Sequence, residues 1–223
     1  MEIERRKLAF GVALMAVTPA YAQFGGLGTL LGGMFSGGGG DVDSQVKGFL
    51  DLSFKIEMTC NKALLAIIAA YAKDEDREKY QARFQELSKV TDPKEAGARF
   101  QEIAASSEAD AKKLAAESDL EGRTKQLTAD KQKQVAKGVG NFLLGALLAK
   151  DVVPMGQGIL QNLQSNLMAL PKVVPVKDAL PRLANAIVLA KSTVPQFVKV
   201  LRGANIEVPE VSASTKEENI DSI

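Results

Sequence analysis

The stretch Asp41–Tyr71, DVDSQVKGFLDLSFKIEMTCNKALLAIIAAY, decides the fold class. Val42, Val46, Phe49, Ile56, Cys60, Ala63, Ile67 and Tyr71 recur at steps of three and four, with Ser53 completing the stripe. That spacing is the period of an α-helix, not of a strand. Leu50, Phe54, Leu64, Leu65 and Ile68 widen the stripe beyond a single seam. A helix apolar over so much of its circumference packs against neighbours on two sides, which places this one at the centre of a helical bundle.

Downstream the helical period continues. Lys73-Asp74-Glu75-Asp76 ends or bends the first helix, and Tyr80, Phe84 and Leu87 mark a more polar one. Asp92-Pro93-Lys94-Glu95 combines an N-capping side chain, a proline suited to the first helical turn and a carboxylate near the positive helix end. The alanine-rich helix that follows carries Phe100, Ile103, Ala111 and Leu114, and Gly122 is expected as the turn between two halves. Thr128 is placed to cap the next helix, which becomes uncharged from Gly138 to Ala149 (GVGNFLLGALLA) and breaks at Asp151–Pro154. Leu170–Pro175 (LPKVVP) reads as an extended connector, because residues before proline avoid the helical region. Helices around Pro181–Lys191 and from Ser192 or Thr193 to Gly203 complete the set. The expected fold is all-α, a bundle of about six or seven helices over residues 41–204, with possible halves 41–121 and 123–204. Residues 205–223, rich in acidic side chains, are expected as a disordered tail.

Upstream, Arg5, Arg6 and Lys7 precede a ten-residue apolar run, Leu8–Val17. Thr18-Pro19 and Ala20-Tyr21-Ala22 follow, with small residues at the positions a signal peptidase reads. The run is far shorter than the roughly 20 apolar residues of a membrane span. Residues 1–22 are therefore expected to be a secretory signal peptide, cleaved after Ala22, with Ala20 and Ala22 as the recognised pair. Residues 23–40 form a glycine-rich flexible leader, in which Phe24, Leu27, Leu30, Leu31, Met34 and Phe35 are too apolar for a plain spacer. The expected location is the periplasm or the exterior. No cysteine stands at the first mature position, so no lipid anchor is expected.

Composition then excludes whole classes of chemistry. The chain has no histidine and one cysteine, Cys60. It contains no Ser-His-Asp or Cys-His nucleophile pair, and the common zinc sites cannot be assembled. No intramolecular disulfide is possible. Removing residues 1–22 leaves equal numbers of basic and acidic side chains, so nothing draws the chain to nucleic acid. The cluster Arg123, Lys125, Lys131, Lys133 and Lys137 reads mainly as a solvated helix face. Asp74, Glu75 and Asp76 lack the spacing of a calcium loop and suit a helix N-terminus. The organisation resembles that of small exported helical proteins of Gram-negative bacteria, with no motif that assigns a named family.

The candidate site is the seam between the central helix and the Gly138–Ala149 helix. Close helix contact is the plain explanation of Gly138, Gly140 and Gly145. The sharper one is a gap that holds an apolar ligand, lined by Phe49, Ile56, Leu64, Ile67, Phe142, Leu143, Leu147 and Leu163, with Asn141 and Asn162 orienting a polar group. The expected function is an exported protein that binds or carries an apolar small molecule or lipid between its helices. The rival is a structural or adaptor subunit of a bacterial envelope assembly without a ligand. No enzymatic activity, catalytic residue, metal, cofactor or nucleic-acid partner is expected, and no transmembrane segment in the mature chain.

Overall fold

The structure, a computed structural model, describes residues 42–91, 93, 98–164, 170–212, 215–220 and 223. The expected signal peptide, the expected glycine-rich leader and the expected capping residues Asp92 and Glu95 lie outside the described residues. The described fold is all-helical, and its helices are α1 (Val42–Tyr71), α2 (Asp74–Lys89), α3 (Ala98–Ala115), α4 (Leu120–Gln126), α5 (Ala129–Gln164), α6 (Leu170–Ser192) and α7 (Val194–Gly203).

Helix α1 takes the central place its composition demands. It packs against α5 and α6 on one side and against α2 and α3 on the other, and every residue from Ala63 to Tyr71 is buried. One apolar cluster runs from Val46 to Leu201, so it draws on both of the halves expected from the sequence. A second, smaller cluster sits between α1, α2 and α3, built from Leu65, Ala66, Ala69, Phe84, Leu87, Phe100 and Ile103 together with Ile223. The acidic residues Asp74, Glu75 and Asp76 occupy the first turn of α2, where they complement the positive helix end. At the start of α5, the Lys131 amide donates to the Thr128 hydroxyl.

Three boundaries differ from the sequence reading, and proline explains two of them. Helix α5 does not break at Asp151–Pro154 but continues to Gln164 with Pro154 inside it. Leu170–Pro175 is not an extended connector but the beginning of α6, which also contains Pro175 and Pro181. Each internal proline removes one helical hydrogen bond. Pro154, Pro175 and Pro181 are all exposed, while Val152, Gly156, Val176, Ala179 and Leu183 are buried beside them. Tertiary burial of the opposite face outweighs the local loss. The third difference is Gly122, which lies within α4 and is no turn.

The tail departs most from expectation. After α7 the chain turns at Asn205, whose φ of 57° is left-handed, and the described residues beyond it lie against the body. Ile206, Val208 and Val211 pack on the main cluster, and Ile220 and Ile223 on the smaller one.

Candidate functional site

The eight apolar candidates converge, but on packed core. Phe49, Ile56, Leu64, Ile67, Phe142 and Leu163 are buried members of the main cluster, Leu143 packs against it, and Leu147 is half-buried. The seam between α1 and α5 is closed by glycine. A β-carbon on Gly138 would stand 2.7 Å from Ile67 Cγ1 and 2.9 Å from the Ala63 carbonyl oxygen, which is closer than real β-carbons come. Gly145 sits against the Cys60 sulfur, and Gly156 against the Phe49 ring. Helix interiors tolerate glycine poorly, at a cost of roughly 1 kcal/mol each relative to alanine, and here the close approach of two helices offsets that cost. The Cys60 thiol is buried in this seam, and burial pushes its pKa up, so it stays protonated and inert. Asn162 is exposed on α5, whereas Asn141 is buried and turned to the tail.

Open space lies elsewhere. The larger cleft, about 850 Å³, runs along the outer face of the first half of α1 and contains none of the candidate residues. Val46, Leu50 and Phe54 form its floor at steps of four residues. Asp43, Lys47, Asp51 and Lys55, also four apart and alternating in sign, form its rim with Lys172 of α6 and with Thr91 and Pro93. Lys172 pairs with Asp43 across one end. Phe54 meets Phe100 at a ring separation of 5.8 Å, which ties the floor to the smaller apolar cluster.

No protein-family model, curated protein or solved structure matches this chain. What the clefts bind has to be argued from their chemistry.

A second cleft, about 270 Å³, opens between α1, α3 and α6, and Leu64 and Phe142 reach its wall. Its lining is mixed: Glu57, Asn61, Gln101, Glu108, Arg182 and Asn185 stand among Cys60, alanines and Leu189. Arg182 Nε lies 2.9 Å from both carboxylate oxygens of Glu57, and the Asn185 amide donates to Glu108 at 2.6 Å. Burial raises the Glu57 pKa, and the Arg182 guanidinium opposes that rise without cancelling it. The single Arg182 Nε–H is shared between the two Glu57 oxygens, so the buried acid has its counter-ion in place.

Three members of the basic cluster on α4 and the first half of α5 are paired in place. Arg123 pairs with Glu117 and donates to the Tyr71 carbonyl, Lys125 pairs with Glu121, and Lys137 pairs with Glu218 of the tail. Among the described residues, no three histidine, cysteine or acidic side chains converge as a metal site would require.

Sequence reasoning missed the α1 cleft although its signal was present. Val46, Leu50 and Phe54 form a line that starts in the core stripe and leaves it, and the alternating Asp/Lys row flanks them. Treating Leu50 and Phe54 only as a widening of the core stripe hid a second face.

The uncharged run Gly138–Ala149 belongs to a helix that bears on the expected absence of a membrane span. The uncharged run is twelve residues, but α5 is 36, and it is the one helix among the described residues long and apolar enough to cross a membrane. Contacts with α1, α6 and α7 surround it, and a core helix of a bundle meets the same measure.

Proposed function

We propose that this is an exported, non-enzymatic helical protein that binds a lipid or similar amphiphile in the cleft along the outer face of α1. The observation that carries the reading is the cleft itself. A floor of Val46, Leu50 and Phe54, about 12 Å long at the helical rise, lies beneath a charged rim. Its volume of about 850 Å³ falls in the range of small-molecule sites, and an apolar floor with a few polar groups at its edge is their usual make-up. An acyl chain lies on the floor, and Lys47 and Lys55 of the rim offer charge to an anionic headgroup. The signal-peptide pattern of residues 1–22 supports a periplasmic or secreted setting, where such a ligand is at hand. The closed α1–α5 seam supports moving the ligand out of the position expected from sequence. As before, no cofactor or metal enters the reading, and no membrane span in the mature chain.

The test is a titration of the purified protein with a fluorescent fatty-acid probe, in parallel with Leu50→Asp. Saturable binding by the wild type and its loss in the variant, both with unchanged helical circular dichroism, is expected. Equal binding by both proteins would refute this site. The rival, a structural or adaptor subunit of an envelope assembly, is favoured by a different feature, the seated tail.

A further inference from the structure

The tail is bound in the manner of a peptide ligand. Asn141 Nδ2 donates to the Glu218 carbonyl at 2.7 Å, and the Glu218 amide donates back to Asn141 Oδ1 at 2.9 Å. A side-chain amide that pairs with both backbone groups of one residue reads extended chain whatever its side chain. Lys137 donates to the Asn219 carbonyl, and Gln81 of α2 donates to the Ile223 carbonyl. Side-chain recognition is confined to a few points. Ile223 is 5% exposed and completes the smaller cluster with Leu65, Phe84, Leu87, Phe100 and Ile103, while Ile220 packs against it. Asn141 is itself 3% exposed, and its amide oxygen and nitrogen both bond the Glu218 backbone. A buried asparagine without those partners leaves unpaired donors and acceptors.

We propose that the groove between Asn141, Gln81 and the α1–α2–α3 cluster is a receptor for Glu218–Ile220 and Ile223 of this chain, and that a second copy supplies these residues in trans. The complementarity is already seated, so the second copy needs no new surface. From Ser212, a chain of about ten residues reaches roughly 35 Å when extended, more than the radius of gyration of about 15 Å for a domain of this size. Exchange then breaks and remakes the same contacts, leaving only the cost of association. This inference stands on a different surface from the α1 cleft and is independent of the lipid reading.

The test is complementation between two full-length variants. Ile220→Asp/Ile223→Asp spoils the tail and leaves the groove, while Gln81→Ala/Asn141→Ala spoils the groove and leaves the tail. Light scattering after size exclusion should show each variant alone as a monomer and their mixture as a one-to-one heterodimer. A mixture that stays monomeric, with both variants retaining wild-type helical circular dichroism, overturns the proposal. A labelled peptide of residues 212–223 supplies the second readout and does not depend on dimer geometry. It should bind the tail variant saturably, and adding Asn141→Ala should weaken that binding roughly ten- to hundredfold, the loss of two hydrogen bonds. Absence of peptide binding to the folded tail variant also overturns it.

Discussion

Helix α1 has two apolar faces that look alike in sequence and behave oppositely in the fold. The face toward α5 is closed: glycines at 138, 145 and 156 let the helices meet so tightly that side chains touch backbone. The face bearing Val46, Leu50 and Phe54 is open, with charged residues along its edges and a cleft above it. Apolar character alone therefore does not locate a ligand site. What separates the two faces is whether the opposite element offers glycine, which lets backbone approach, or stops short and leaves volume.

Substitutions that treat the two faces differently test this contrast. The largest effect is expected from Phe142→Asp. Phe142 is fully buried, and an unpaired charge there should cost about 5 kcal/mol or more, enough to abolish the cooperative unfolding transition. A folded variant that had merely lost ligand would reopen the seam as a site. Next comes Gly145→Leu, which drives a side chain into Cys60. Denaturant unfolding should report a loss of about 3 kcal/mol, at the upper end of overpacking effects. Leu50→Asp on the open face should cost only about 1–2 kcal/mol, because Leu50 is half-buried and its carboxylate can reach water.

The smallest effect concerns pH and the second cleft, between α1, α3 and α6. Burial raises the Glu57 pKa in the folded state, so the folded protein holds that proton to higher pH than the unfolded chain does. The contribution is fully present below the unfolded value near 4.5 and is lost as pH rises through the folded value. Unfolding curves from neutral pH down to the unfolded value near 4.5 should show the wild type gaining stability relative to Glu57→Gln as pH falls. A constant difference between the two proteins across that range would mean that Arg182 fully compensates the burial of Glu57.

How far the sequence showed all this depends on where the information resides. Helix α1 was legible because its repeat of three and four persists for eight turns and needs no partner to be seen. The continuity of α5 and α6 was not legible. Pro154, Pro175 and Pro181 are local breakers, and only the burial of the opposite face, a tertiary fact, holds the helix through them. The tail was misread because its average is polar. Its binding rests on five separated apolar residues and on Asn141, 77 residues away from Glu218. The proposed cleft lies on the helix singled out from sequence, on a face other than the one toward α5. The glycines of α5 were recognised as unusual, and they answer to packing.

The central claim is that an amphiphile occupies the open face of α1. Native mass spectrometry of the purified wild type and Leu50→Asp, followed by organic extraction, tests it most directly. A lipid-sized adduct on the wild type, absent from a folded Leu50→Asp protein, is the result expected. A wild type that carries no adduct, or a variant that keeps it, would contradict the account.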